Sequence, residues 1–431
     1  MRNPVELLQV LWHYHRARRL SFTNRPALLA HQASELNKHL NWVAQNSPYY
    51  SGLQGKPLHQ WPVIDKRVWM GEFDRLNTAG LKLDAVLSAA LAAERSRNFA
   101  DKHQGHTVGL SSGTSGSRGV FVVNDAERVQ WAGLALARLL PGRLLSGERI
   151  AFFLRANSNL YTSVQSPWLT FEFFDLLQPM EGHLAHLQAY APTAIVAPAQ
   201  VLAYLAQAQL NGRLSLKHSR VVSVAEVLEP TDAMLLSKAF GRPEQVYQAT
   251  EGFLGYTCSH GTMHLNEEYY VVEREWLDIS KTKFLPVVTD LRRKAQPLIR
   301  YRLNDVLSAQ HLPCACGNPA LAIAHIDGRS DDMLSFTGTQ APVTIFADTV
   351  SRLLAQRLPI EVDYRLLQLS PNYLKLQAPL PQDVGDKLLS ELLLEFAKLG
   401  AHTDEVVTHF ERTDVKFDPS KKRRRIQRVA A

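Results

Sequence analysis

The sequence is short of cysteine, of methionine and of long uninterrupted apolar runs. Three cysteines in 431 residues, an odd number, argue against a disulfide framework of the kind small secreted domains depend on. Nothing approaches the ~18 consecutive apolar residues that cross a bilayer, so no membrane span is expected. Met1-Arg-Asn-Pro-Val-Glu leads into Trp12-His-Tyr-His-Arg-Ala-Arg-Arg rather than into the apolar core of a leader, and the expectation is a cytoplasmic protein. Two phosphate-binding spacings are also absent. Neither Gly-x-x-x-x-Gly-Lys-Ser/Thr nor Gly-x-Gly-x-x-Gly occurs, which removes the Walker loop and the Rossmann fingerprint. The net charge of +7 has no basic stripe with interleaved aromatics behind it; five positives stand consecutively at Lys421 to Arg425.

What is present is the composition of an ordinary globular protein, 45% hydrophobic and 21% charged, long enough for two or three domains. Its most distinctive stretch is Gly109-Leu-Ser-Ser-Gly-Thr-Ser-Gly-Ser-Arg-Gly119. Four glycines, five hydroxyls and one guanidinium without a carboxylate are the chemistry of a loop that wraps phosphate. Ser111, Ser112, Gly113, Thr114, Ser115, Gly116 and Arg118 are its candidate binding residues.

Along the chain, helical spacing over Arg25 to Gln45 predicts a cap helix. After the glycine loop, Val120-Phe-Val-Val reads as a strand and Asp125 as the cap of a helix running through Leu140. Ile150 to Leu154, Ala194 to Ala197 and Val221 to Val224 then alternate with helices near Leu184 to Tyr190 and over Ala199 to Gln209. That order predicts a layered α/β domain with a partly parallel sheet, ligands gathering at the carboxyl ends of its strands. The short polar segments there are Ala225-Glu226 and Tyr247-Gln-Ala-Thr-Glu251. A strand-rich subdomain is expected over about 252–327, including one strand over His264 to Glu273. A boundary near Asp331 then separates a 1–330 domain from a small α+β lid, 331–431, of β-β-α-β order whose last strand runs from Thr408 to Phe417.

Five pieces stand in order: the glycine loop, Tyr247-Gln-Ala-Thr-Glu251, Pro297-Leu-Ile-Arg-Tyr-Arg-Leu-Asn-Asp305, Gly328-Arg-Ser-Asp-Asp332 and Lys421-Lys422. Their order resembles the adenylate-forming enzyme superfamily, closest to its phenylacetate–CoA ligase and deazaflavin-coenzyme adenylating branch. The resemblance implies attack of a carboxylic acid on the α-phosphate of ATP, release of pyrophosphate and passage of the acyl group to a thiol such as CoA or a carrier protein. It implies that the glycine loop holds the β- and γ-phosphates and that Thr250 lies near the α-phosphate. Glu251 would hold Mg²⁺ and Asp305 the ribose hydroxyls, with Glu226, Tyr247 and Arg329 also lining the nucleotide and acid site. It makes Asp331 the hinge and Lys422, or alternatively Lys421, the lysine bridging carboxylate and α-phosphate. The chain departs from the family pattern at Arg302-Leu-Asn-Asp305, where Thr-Gly usually precedes the aspartate, and at Ser117-Arg118, in place of Lys-Pro.

All three cysteines fall in one region, Cys258 and the pair Cys314-Ala-Cys316, with His264 and His260 nearby. Three thiolates and one imidazole, His264 first and His260 as alternative, make a candidate structural Zn²⁺ site. Rival readings are transfer of AMP to a non-carboxylate acceptor, an acyl-protein synthetase, and a non-catalytic zinc-bearing protein whose basic run binds nucleic acid or an acidic partner. Phe152, Phe153, Tyr161 and Trp168 are expected near the acid, suiting an apolar or aromatic substrate.

Overall fold

Two helices open the chain, where the sequence pattern predicts only the second. α1 (Pro4–Arg19) buries Val10, Tyr14 and Ala17; α2 (Arg25–Asn46) starts at Asn24, whose side chain accepts from the Ala27 N–H at 2.9 Å. The computed structural model describes residues 4–99, 101–111, 118–140, 147–154, 169–216, 219–415, 418–419 and 421–429. Three helices follow, α3 (Lys66–Gly71), α4 (Phe73–Leu76) and α5 (Leu83–Ser96). Then comes an antiparallel ribbon of β1 (Thr107–Leu110) and β2 (Val120–Val123). α6 (Asp125–Leu139) is capped by Asn124 rather than Asp125: the Asn124 side chain takes the Glu127 N–H while Glu127 reaches back, a reciprocal pair that Asp125 is one residue too late to make. α6 carries Gly133 against α1, where a Cβ would lie 2.8 Å from the Tyr14 nitrogen and 2.9 Å from the Val10 oxygen. Only glycine lets the two backbones come so close.

The large sheet begins with β3 (Glu148–Leu154), β4 (Leu169–Asp175), β5 (Ala194–Ala197), β6 (Arg220–Ser223) and β7 (Glu244–Ala249), all parallel in the order β4-β3-β5-β6-β7. Between them run α7 (Met180–Tyr190), α8 (Ala199–Leu210) and α9 (Pro230–Phe240). β5 is buried along its whole length because both faces are covered: Ala194 and Val196 enter one core, Ile195 and Ala197 the other.

At Thr250-Glu251 the chain reverses into β8 (Gly252–Thr257), and from there the sheet is antiparallel. β9 (Met263–Leu265), β10 (Tyr270–Trp276), β11 (Lys283–Asp290), β12 (Tyr301–Arg302), β13 (Asp305–Ala309) and β14 (Ala322–Arg329) complete it. The strand-rich stretch therefore continues the same sheet, twelve-stranded among the described residues. The single strand read over His264 to Glu273 is two, because Asn266 to Tyr269 form a turn in which the Tyr269 N–H reaches the Asn266 carbonyl.

A short 3-10 turn, Ser330–Asp332, leads into a second unit. It comprises β15 (Leu334–Phe336), β16 (Val343–Ile345), α10 (Ala347–Ala355), β17 (Arg365–Ser370), β18 (Tyr373–Ala378), α11 (Gln382–Lys398), β19 (Val407–Arg412) and β20 (Ile426–Arg428). Its main sheet runs β19-β18-β17-β20 over a core of its own that includes Leu366, Leu376, Leu389 and Phe396.

Candidate functional site

The candidate residues gather where the parallel half of the large sheet meets the antiparallel half. β6 ends at Ser223, and two residues on, Ala225 has a φ of +65°, unusual for a residue with a Cβ. That bend turns Glu226 toward α8, where its carboxylate accepts from the Gln200 N–H at 3.2 Å and from Gln200 Nε2 at 2.9 Å. On β7, the Tyr247 hydroxyl donates to Asp305 Oδ2 at 2.7 Å. Burial, then the Asp305 charge, raises the Tyr247 phenol well above its ordinary value and keeps it a donor. Asp305 pairs in register with Arg329 across β13 and β14, and Arg329 Nε lies 3.8 Å from Asp305 Oδ1. Asn304, one of the departures from the family pattern, has a role here. Its amide donates to Asp331 Oδ2 at 2.8 Å, and its carbonyl accepts from the Ser330 N–H at 2.7 Å.

Thr250 Oγ1 donates to Glu251 Oε2 at 3.0 Å. The backbone carbonyls of both residues accept from Arg293, at 3.0 and 3.4 Å, and Arg293 also donates to Gln296 Oε1 at 2.9 Å. The same oxygen receives the Val122 N–H at 3.0 Å, which ties the ribbon carrying the glycine loop to the Thr250-Glu251 turn. The neck of that loop is closed by two 2.7 Å bonds, Ser111 N–H to the Gly119 carbonyl and Gly119 N–H to Ser111 Oγ. Ser112, Gly113, Thr114, Ser115 and Gly116 lie outside the described residues. Arg118, expected to contact phosphate, pairs its guanidinium with Glu94 on α5, and its Nε donates to the Ser111 carbonyl at 3.1 Å.

Three contributors were not singled out for this site from sequence. Lys66 reads in the sequence as a functional lysine or, more simply, a solvated one; here Ile64 bridges to Tyr301 and fixes its position through Ile64 N–H to Arg300 O at 3.0 Å and Arg302 N–H to Ile64 O at 2.8 Å. A Cβ on Gly119 would stand 3.2 Å from Lys66 Cε, so the glycine lets the lysine stem lie against the loop neck. Burial lowers the Lys66 ammonium; Glu251 opposes that shift, and Arg329 and Asp331 act on it from the other side of the site. Tyr301 bonds to Glu251, and its phenol is raised by burial and by that carboxylate. Arg293 is hidden within Arg292-Arg293-Lys294, a run of like charge that reads as solvated surface.

The basic run near the end is not a free tail. Arg423 pairs with Asp232; Arg425, 5% exposed, meets Glu229 at 2.9 Å, Asp232 at 3.2 Å and Asp363 at 2.6 Å; Arg424 pairs with Asp332. The Lys421 carbonyl accepts from Gln200 at 2.6 Å and the Arg423 N–H reaches Glu226 at 3.3 Å. The backbone of Lys422 is thereby held between two contacts to the Gln200–Glu226 pair. Lys421 itself directs an 81% exposed side chain toward Asp418, 3.5 Å away.

Cys258, His264, Cys314 and Cys316 bring their four ligand atoms within 4.8 Å of one another. Cys258 and Cys314 sulfurs are 3.7 Å apart, close to the ~3.8 Å expected between two thiolates on one tetrahedral zinc with ~2.3 Å bonds. Cys316 Sγ lies 3.3 Å from His264 Nε2, while His264 Nδ1 is 3.1 Å from the Ala320 carbonyl, the second contact that fixes a ligating imidazole. The donor set fits a tetrahedral metal. His260 is exposed beside Ser259 and lies outside the cluster. Of the expected acid-lining aromatics, Phe152 stacks on Phe171 and Phe153 on Phe174 in the two cores, whereas Tyr161 and Trp168 lie outside the described residues.

No family model matches the chain. It is 28% identical over 116 residues to the phenylacetate-coenzyme A ligase of Thermus thermophilus, and the match spans about a quarter of that relative, 25% of its length and 25% of this chain. The structure superposes on 2-hydroxyisobutyryl-CoA ligase in the postadenylation state with 2-HIB-AMP at a TM-score of 0.65 and 16% identity, covering 93% of this chain and 89% of that one. For an open conformation of that ligase with 2-HIB-AMP and CoA the values are 0.59 and 14%, over 93% and 91%. The amide bond synthetase McbA from Marinactinospora thermotolerans gives 0.53 and 13%, over 75% of this chain and 68% of that one. At these identities the likeness establishes the fold. No helix among the described residues is long and apolar enough to cross a membrane.

Proposed function

We propose that this chain, which has the fold of the adenylate-forming ligases, activates a carboxylic acid with ATP as an acyl-adenylate and passes the acyl group to a thiol such as CoA. One observation carries the reading: Tyr247, Asp305, Arg329, Thr250 and Glu251 converge with the Ser111–Gly119 neck where the parallel and antiparallel halves of the sheet meet. The adenylate and CoA named for 2-hydroxyisobutyryl-CoA ligase support it.

In the proposed step a substrate carboxylate oxygen attacks the α-phosphorus, the bond to the bridging oxygen breaks, and pyrophosphate leaves. The loop neck orients the leaving phosphates. Asp305, held by Tyr247, accepts both ribose hydroxyls, since a carboxylate has acceptor sites on two oxygens. Thr250 donates toward the α-phosphate. Glu251 would hold Mg²⁺, which offsets charge on the phosphoryl oxygens when bound. Lys66 adds a cation on the side of the loop neck. Lys422, delivered by residues 331–431 acting as a mobile lid hinged at Asp331, bridges carboxylate and α-phosphate, a task suited to a compact cation on a flexible stem. Cys258, His264, Cys314 and Cys316 would hold a structural Zn²⁺ that ties β8 and β9 to the 314–316 loop. ATP as co-substrate fits a cytoplasmic enzyme.

The test is ATP–pyrophosphate exchange over a panel of carboxylic acids, with and without CoA. Exchange with any acid, and thioester formation when CoA is added, is the expected result. ATP binding without exchange would move the assignment to AMP transfer onto a non-carboxylate acceptor, and absence of ATP binding would overturn it.

A further inference from the structure

A cavity of about 110 Å³ lies between α1, α2 and α6 and the loop that follows β11. It is roughly ten times the ~10–15 Å³ that one water needs. Its charged and imidazole lining is His13, Arg16, His31, Glu35, Glu268 and Arg292. Both carboxylates are already engaged: Glu35 with Lys38 at 2.7 Å, and Glu268 with Arg138. His31 Nε2 contacts the Glu268 carbonyl at 3.0 Å. Arg16 and Arg292 have no carboxylate within ion-pair distance among the described residues, and Arg292 Nε is buried without a hydrogen-bond partner. Both guanidiniums are carried on aromatic faces, Arg292 3.9 Å from the Tyr269 ring centre and Arg16 5.3 Å from that of Trp12. A stacked guanidinium keeps its donors in the plane of its edge, the geometry that recognises an oxyanion by paired contacts.

We propose that this cavity is a binding site for a small phosphate-like oxyanion, held by Arg16 and Arg292 and separate from the candidate active site. Two cations in excess over the engaged acids set the charge of the ligand, and the volume is ample for a single small ion. The site is also wired to the chemistry. Asp290 accepts the N–H groups of both Arg292 and Arg293, at 2.7 and 3.1 Å, and Arg293 holds the Thr250 and Glu251 carbonyls. His13 is a built-in reporter: burial, then Arg292 and Arg16, lower its imidazole to about 4, and a bound anion reverses the effect of the two arginines.

The experiment is a titration of full-length, histidine-labelled protein with inorganic phosphate, read by NMR at the His13 ring, with ATP saturating so that phosphate sites of the nucleotide are filled. The His13 signal is identified by its loss in His13→Gln. A saturable shift at His13, a rise of its titration midpoint above about 4, and a dissociation constant weakened about tenfold or more in Arg292→Gln and in the surface variant Arg16→Gln are expected. Acetate in place of phosphate separates a carboxylate ligand from a phosphate-like one; tighter acetate binding overturns the ligand class. No shift at His13, a shift abolished by ATP, or one indifferent to both arginine variants overturns the site.

Discussion

The interior of the large unit and its junction with the 331–431 unit are held by opposite means. Between β5 and β6 the contact is made by Ile195, Val196, Val221 and Val222, each at most 3% exposed. At the junction it is made by Arg423 and Arg425 against Glu229 and Asp232, with Lys283 reaching Asp348 at 2.8 Å. Apolar burial is non-directional and costly to reopen, because water recovers nothing from the exposed surface. Ion pairs have defined partners, and both sides regain hydration when they part, so the net cost of separation is small relative to the number of contacts. The first kind of contact suits groups that must stay fixed, such as Tyr247 and Asp305. The second suits a group that must be brought and withdrawn, as proposed for Lys422.

The comparison breaks most visibly at Lys422. Lys422→Ala is expected to slow acid-dependent pyrophosphate exchange by roughly 10²–10³-fold, the usual cost of removing one charge-stabilising donor, with ATP affinity unchanged. Equal loss of rate and ATP binding would place the lysine among the fixed groups. Asp232→Ala leaves Arg423 without its main partner and Arg425 with two of three, and should cost about 3 kcal/mol. The signature is easier proteolysis between residues 329 and 333 while the large unit keeps its unfolding midpoint; a lower midpoint for the whole chain would mean the junction is as permanent as the core. Asp305→Ala should weaken ATP by about 10–100-fold in a direct binding assay, and leave that proteolysis pattern alone.

The smallest effect separates the two regions by pH. Burial lowers His39 to about 4, and its Nε2 is enclosed without a partner. Because its folded pKa lies below the unfolded 6.5, the unfolded chain binds the proton first, so stability is lost as pH falls from 6.5 toward 4. At pH 5 this amounts to about 2 kcal/mol, and His39→Gln should flatten the profile measured by denaturant titration. Asp363, which holds Arg425 inside the second unit, should resist the same acidification: burial alone would raise it, but Arg425 and Arg423 outweigh burial and hold the carboxylate below its ordinary range.

Much of the fold is legible in the sequence where one local rule governs. β5, α8 and β6 follow from apolar runs alternating with a helical period, and both faces are covered as such runs require. α1 was missed because it shows apolar residues on two sides. Val10, Tyr14 and Ala17 turn inward, while Val5, Leu8 and Trp12 are 56–67% exposed, which blurs the period. The ordered motifs named Tyr247, Asp305, Arg329 and the Thr250-Glu251 turn, and these lie together where the two halves of the sheet meet. Arg293 and Tyr301 were not named, and Lys66 could not be told from a solvated lysine, because their positions depend on contacts between distant parts of the chain, such as the pairing of Ile64 with Tyr301. The pairing of Arg118 with Glu94 was illegible for the complementary reason: composition counts the charge but not the carboxylate beside it.

Gly133 has a consequence beyond the closeness of two helices. The nearest atom to a side chain placed there would be His13 Cβ, at 2.5 Å, on the same helix that carries Arg16. An added methyl would therefore act as a wedge, lifting α1 and swinging His13 and Arg16 away from Arg292. The clearance of the oxyanion cavity is set by a residue that does not line it, so its capacity can be altered without touching any of its donors.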